Sequence, residues 1–348
     1  MRRRVPAVLA VVIALAAMTT SCTAPGTRQV VLYQSLSPTE IVPIVDGFEE
    51  YYERTTGERV RVRSFHQAGG DLRATMGLEA RAESVQADIV ITDISDVTAL
   101  ETESPGLFAP VDVPALADDA INETVREAGG VGVISGLQPY VISYNTRRVS
   151  PEEVPQSWAD LLDDRWQFRI GMGDPETTNG AHVPLWFLTQ YLGEEIGPPF
   201  GWEFYNRLGQ LRPRTAGSHD AIQAYVNQGE LDLGVLGYGT VVSAADDGNP
   251  VAAVFPEEGA AALATATAIP ATSDDRDIGE IFVNWMMSPE GQAAMYEGTN
   301  YVPIRDDVPT DPPPFPIDLD LDRIAAIDSV WVAEQRVTNI DRFRRELG

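Results

Sequence analysis

Between residues 29 and 95 one pattern recurs: an apolar run that reads as a buried strand, a polar loop, then a helix. The first strand is 29–35 (Gln-Val-Val-Leu-Tyr-Gln-Ser), ending in Ser35-Leu36-Ser37-Pro38. A helix follows over about 39–55, with Ile41, Val42, Ile44, Val45 and Phe48 at helical spacing. Residues 59–64 alternate as a second strand and open into His66-Gln67-Ala68-Gly69-Gly70-Asp71, before a helix over roughly 71–84. Residues 87–92 form the third strand, followed by Asp93 and Ser95. Neighbouring parallel strands need a crossover between them, so this order predicts an α/β fold with a parallel sheet. In such sheets ligands sit beyond the carboxyl ends of the strands.

The middle of the chain reads as a second unit. Residues 141–144 and 168–172 are strands, separated by an acidic loop and helix over 154–162. Asp174-Pro175-Glu176-Thr177-Thr178-Asn179-Gly180 leads into a helix that ends near Tyr191. Helices near 202–211 and 221–228 lead to a strand at 232–236 and the turn Gly237-Tyr238-Gly239-Thr240. A helix over 277–287 returns to the first unit. The last helix, 322–347, places Ile324, Ile327, Val330, Val337, Ile340 and Phe343 on one face.

The N-terminus carries export signals. Arg2, Arg3 and Arg4 precede an apolar stretch from Val8 to Met18 that is too short to span a bilayer, the order of a bacterial signal peptide over residues 1–21. The single cysteine, Cys22, follows it and has no partner for an internal disulfide. Thr19-Thr20-Ser21-Cys22 resembles a lipobox, with Thr19 where leucine is usual. Lipidation of Cys22 therefore anchors the protein to the outer face of the membrane, with 22–28 as tether; without it the protein is periplasmic.

All 25 basic residues are arginine, against 52 acidic ones, for a net charge of −27. Loss of the three leading arginines brings this to −30. Such acidity argues against nucleic acid as a partner. An arginine-favouring genome and adaptation to salt both account for it.

Several stretches together resemble a known family. They are VLYQSLSPTEIVPIVDGFEEYYERTTGERVRV, QADIVITDISDVTALE with GLFAPV, and YVISYNTRRVSPEEVPQSWADLLDDRWQFRIGMGDPETTNGA. NWMMSPEGQAAM with YVPIR and WVAEQRVTNIDRFRREL complete the set. The chain is similar over nearly its whole mature length to the extracytoplasmic solute-binding proteins of ABC importers, in the ferric-iron, thiamine and phosphonate branch. The resemblance implies the two-lobed periplasmic-binding-protein type II fold, with two crossover strands near 139–144 and 263–269 as the hinge. Lobe one is then 29–138 with 270–348, and lobe two is 139–269. It also implies a monomer that binds a solute outside the membrane and delivers it to a permease driven by its ATPase. Lobe closure is binding, not catalysis, and no cofactor is called for. No Gly-x-Ser-x-Gly elbow, HExxH or Walker loop is present, which leaves an enzyme or an adhesion lipoprotein as minor alternatives.

Candidate ligand residues follow from strand ends and helix starts. Thr177, Thr178, Asn179 and Gly180 suit an anionic group or cap their own helix, and the resemblance favours the ligand. Ser218 repeats this arrangement before the next helix. Ser35, Ser37, His66, Gln67, Gly69 and Asp93 follow strand ends in lobe one; Asp93 binds a ligand or caps the next turn. Tyr238, with Thr240 beside it, presents a ring or hydroxyl to an organic solute. Ferric-binding members of the family have a pair of neighbouring tyrosines near this point, and here there is one. The leading expectation is an organic, anion-bearing solute. The alternative is Fe3+ as transported ligand, held by His66, Asp93 and Tyr238.

Overall fold

The computed structural model describes residues 27–122, 125–126, 131–313, 315–317, 323–325 and 327–347. The signal segment and Cys22 lie outside the described residues. The recurring pattern becomes β1 (Thr27–Gln34), α1 (Ile41–Thr56), β2 (Arg59–His66), α2 (Gly69–Arg81), β3 (Ile89–Asp93) and α3 (Ile94–Glu103). β1 starts earlier than expected, so Thr27 and Arg28 belong to the sheet and not to the tether. Arg28 is fixed there by ion pairs to Asp275 and Asp277.

The chain continues through β4 (Val133–Asn145), β5 (Ile170–Gly173) and α4 (His182–Trp186). A π-helical turn, Phe187–Tyr191, joins α4 to α5 (Leu192–Glu195). Then come α6 (Trp202–Gln210), β6 (Arg214–Ala216), α7 (His219–Gln228), β7 (Leu233–Gly237) and α8 (Tyr238–Asp246). β8 (Val251–Val254), β9 (Ala260–Ala268), α9 (Arg276–Met286), α10 (Pro289–Thr299), β10 (Ile324–Ala325) and α11 (Ser329–Leu347) complete the described order.

The strands form one continuous path, β2-β1-β3-β9-β4-β7-β5-β6, with β8 paired to β4 and β10 to β9. β1 is parallel to β2 and β3, and β5 is parallel to β6 and β7. Between these two parallel trios run β9 and β4, antiparallel to each other and to the strands flanking them. β4 pairs with β9 through Val133–Pro139 and with β7 through Tyr140–Tyr144. One strand thus passes from the first lobe to the second, and β9 makes the return. β4 extends beyond the segment read from sequence, since Gly136, Gln138 and Pro139 interrupt its apolar run, and β9 starts earlier, at Ala260.

Each lobe has its own aromatic core. In lobe one Phe48 of α1 meets Phe282 at 4.7 Å and Trp285 at 5.6 Å, both from α9. In lobe two Trp158, Trp166, Phe187, Phe204 and Tyr205 are buried together. Trp158, from the Pro-x-Ser-Trp stretch, donates its indole N–H to the Gly259 carbonyl at 2.9 Å, so a large polar aromatic is buried with its donor satisfied.

α11 departs from expectation twice. It begins at Ser329 and not at 322, because Ile324 and Ala325 pair with Ala260 and Ala261 as a strand. Its buried face is also different: Val330 and Val337 are 52% and 74% exposed, while Val332, Asn339 and Phe343 are buried. The helix packs on α3 in the first lobe and on α6 in the second. At its end Phe343 meets Tyr205 at 5.4 Å, Arg342 lies over the Trp202 ring, and Glu346 accepts a hydrogen bond from Asn206 at 2.9 Å. Gly209 of α6 makes this close approach feasible, since a Cβ there would overlap the Glu346 carbonyl. Gly209→Ala is expected to lower stability by about 1–3 kcal/mol, the usual range for overpacking. Thermal unfolding of the variant checks this, and an unchanged midpoint would contradict the contact.

Candidate functional site

A cleft of about 1010 Å3 opens between the lobes, floored by the crossover strands through Gln138, Tyr140 and Leu263. Four helices begin at its walls. Thr39 and Glu40 precede α1, Gly69 and Asp71 start α2, Ser218 and His219 start α7, and Gly239 and Thr240 lie in the first turn of α8. This follows from the sheet: in each parallel trio the carboxyl ends point the same way, so every following helix opens into one space. Backbone N–H groups at helix starts suit a negative group.

Glu40, Asp71, Glu176, Asp220 and Asp247 bring carboxylates to the walls. Glu40 accepts from the Ser37 N–H at 2.6 Å, while the Ser37 hydroxyl accepts from the Glu40 N–H at 3.3 Å, a reciprocal cap ahead of α1. Asp71 and Asp220 lie in the first turns of α2 and α7, where the helix dipole favours them. Glu176 is ion-paired with Arg344 of α11.

Behind the floor lies a group of charges. Asp93 at the end of β3 and Asp96 on α3 are both buried. Arg73 of α2 approaches Asp96 at 3.8 Å, and Arg336 of α11 lies in the field of both carboxylates. Burial, then the neighbouring Asp96, pushes the Asp93 carboxyl up to about 7. Burial likewise raises Asp96, against the pull of Arg73 and Arg336. Arg336 lines the cleft, and burial holds its guanidinium below the usual range.

Residues 45–317 match the family of bacterial extracellular solute-binding proteins. This chain belongs to that family. A probable ABC transporter periplasmic-binding protein of Sinorhizobium fredii is 25% identical over 246 residues, covering 70% of this chain and 67% of the relative. Among solved structures, the periplasmic binding protein AfuA from Actinobacillus pleuropneumoniae, with exogenous fructose-6-phosphate bound, superposes with a TM-score of 0.73. It is 19% identical and covers 92% of this chain and 98% of its own. Iron-bound HitA from Pseudomonas aeruginosa gives 0.72 at 19% identity, over 91% and 99% of the two chains. These likenesses carry the type II periplasmic-binding-protein fold.

In this solute-binding protein Ser35, Ser37, His66, Gly69, Thr177, Thr178, Gly180, Ser218 and Thr240 all line the cleft. Several also do structural work. Ser218 caps α7, its hydroxyl accepting from the Ala221 N–H at 3.2 Å. Gly180 leaves room for the buried Tyr140, whose hydroxyl a Cβ would strike. Asn179 lies beside them in the turn 179–181. The Gln67 N–H is bonded to the Gln34 carbonyl at 3.1 Å, and Gln67 does not line the cleft.

Two expectations change. Asp93 caps α3, its carboxylate accepting from the Ser95 N–H at 2.6 Å. Tyr238 is the first residue of α8, and helical register turns it with Val241 and Val242 into the apolar core while Gly239, Thr240 and Ser243 face the cleft. Burial pushes its phenol up to about 12. The set of His66, Asp93 and Tyr238 is therefore not assembled: His66 is exposed at the rim, Asp93 caps a helix, and Tyr238 is in the core. Among the described residues, no three His, Cys, Asp or Glu side chains converge as a metal site would require.

Residues missed from sequence are Gln138, Tyr140, Tyr301, His219 and Arg336. The His219 ring is held neutral by burial, down to about 4, and its Nε2 lies 3.4 Å from the Tyr140 hydroxyl. Burial also keeps Tyr140 and Tyr301 as neutral phenols.

The Asp93 environment makes a pH prediction. Its folded carboxyl holds a proton that the unfolded chain has lost between the ordinary value of 3.8 and about 7, so stability falls as pH rises through that window. Asp93→Asn keeps the cap oxygen and removes this titration. The variant is expected to lose less thermal stability than wild type between pH 5 and pH 8. Equal losses would show that Asp93 is ionised throughout.

Proposed function

We propose that this protein captures an organic, anion-bearing solute between its lobes outside the cell membrane and hands it, as a monomer, to an ABC permease and its ATPase. In this reading it is a binding protein and not an enzyme, exported by residues 1–21 and held at the membrane through a lipid on Cys22. The observation that carries the choice of solute is the convergence of four helix starts, with serine, threonine and glutamine side chains, on one cleft. Such a space favours a negative group surrounded by hydroxyl and amide hydrogen-bonding partners. A hydroxylated body suits Ser35, Gln138, Thr178, Gln223 and Thr240.

Iron stays the weaker alternative, because the three side chains expected to hold it are dispersed. Sugar phosphate binding by a protein of the same fold supports the organic reading by analogy only. The test is isothermal titration of the purified protein with fructose 6-phosphate, D-gluconate, thiamine, ferric citrate and spermidine. Saturable binding of one of the hydroxylated anions, with no ferric tyrosinate absorbance, is expected. Binding of spermidine or ferric iron alone would overturn the choice of solute.

A further inference from the structure

Four glutamines are buried among the described residues: Gln34, Gln138, Gln223 and Gln292. Three of them have side-chain partners. Gln292 donates to the Met286 and Ser135 carbonyls at 2.7 and 2.8 Å and accepts from the Ile304 N–H at 2.9 Å. Gln223 donates to the Asn227 side-chain oxygen at 2.7 Å, and Gln34 donates to the Ser64 hydroxyl at 3.2 Å. Gln138 differs. It is 8% exposed and lines the cleft, and its side-chain amide has no hydrogen-bond partner among the described residues. A buried carboxamide left unpaired is costly, so native proteins rarely keep one without a use.

The hinge fixes where this amide lies. The Gln138 backbone pairs with Leu263 of β9, at the point where β4 exchanges β9 for β7. Its side chain reaches across to β7 and rests on Gly237, where a Cβ would come within 2.4 Å of Cδ, 2.6 Å of Oε1 and 2.7 Å of Nε2. Gly237 has an ordinary extended backbone, with φ at −67°, so the amide above it and not the turn calls for glycine there. The floor around Gln138 is uncharged: Tyr140 and Leu263 come from the crossover strands, and Tyr301 precedes Val302, which bridges Leu137 of β4. The charged side chains of the cleft, Glu40, Asp71, Glu176, Asp220, Asp247 and Arg336, belong to the helices and loops of its walls.

We propose that Gln138 is the specificity-determining residue of the cleft floor, pairing through its carboxamide with hydroxyl groups at the uncharged end of the solute while the anionic end faces the helix starts of the walls. The inference rests on the anion-bearing reading above and deepens it by giving the solute a direction. The carboxamide offers a carbonyl acceptor and N–H donors, and a hydroxyl both donates and accepts, so neighbouring hydroxyls match it. A site built this way rejects an analogue that lacks them, because the amide would stay buried and unpaired. The chemical class is a short polyol with its anionic group at the far end.

The probes are two pairs that differ in their hydroxyls: D-gluconate with hexanoate, and fructose 6-phosphate with hexyl phosphate. Binding to wild type, Gln138→Leu and Gly237→Ala is read by isothermal titration, with the thermal midpoint of each ligand-free protein measured alongside. Wild type is expected to prefer the hydroxylated member of the pair it binds. Gln138→Leu should weaken that member about tenfold or more and leave the bare anion unchanged, so the preference shrinks by the same factor. Its ligand-free midpoint should hold or rise, since no protein hydrogen bond is lost; a fall in midpoint with the preference intact would mark a structural residue and overturn the proposal. Gly237→Ala places a methyl group where the amide rests, and the flexible end of Gln138 can move aside without disturbing the strands. It should therefore weaken the hydroxylated anion as well, and wild-type affinity in this variant would contradict the seat of the amide. An undiminished preference in Gln138→Leu would overturn the role of Gln138 and leave the solute class standing. Failure of the wild-type protein to bind either hydroxylated anion would overturn the solute class and this inference together.

Discussion

Two long antiparallel strands hold the molecule together. β9 pairs with β3 of one parallel trio, β4 pairs with β7 of the other, and β4 and β9 pair with each other. Because each trio is parallel and both are joined to this central pair, their carboxyl ends face each other across one space. The cleft is thus a consequence of strand direction. Its floor is the backbone that links the lobes, and Gln138, Tyr140 and Leu263 belong to the hinge strands as well as to the site. Movement of one lobe against the other therefore alters the floor and the walls together.

Much of the wall was legible in the sequence for this reason. A residue that follows a buried strand and precedes a helix has its position decided by the sheet, so the places of Ser35, Thr178 and Ser218 follow from the strand and helix pattern, with the resemblance favouring a ligand role for Thr178. The floor was harder to see. Gln138 and Pro139 break the apolar pattern of β4, so the strand reads shorter than it is. Tyr238 failed for a subtler reason. Its flanking glycines read as a turn, whereas β7 passes directly into α8 at Tyr238, and one step of helical register separates the cleft from the core. Asp93 shows the opposite case, where the local role of capping a helix accounts for the residue.

The terminal helix holds what the sequence concealed most. Apolar spacing predicts an inward face that includes Val330 and Val337, and the chain places both outward instead. The inward side carries Arg336, which is partly buried and lines the cleft, and Asn339, which is buried. The same helix touches α3 at one end and α6 at the other, so its arginine is positioned by both lobes. The chain carries a net charge of −27, and its cleft is lined by Arg336 and by Glu40, Asp71, Glu176, Asp220 and Asp247 among hydroxyls and amides.

The central claim is that the lobes close over the solute about the β4–β9 hinge. The direct measurement is the spin-label distance between Phe65→Cys, beside the rim in lobe one, and Thr215→Cys, at the corresponding edge in lobe two, with Cys22 replaced by serine. The account predicts that a bound solute shortens and narrows this distance at saturation. An unchanged distance distribution, at a concentration where titration shows the site to be full, would contradict it.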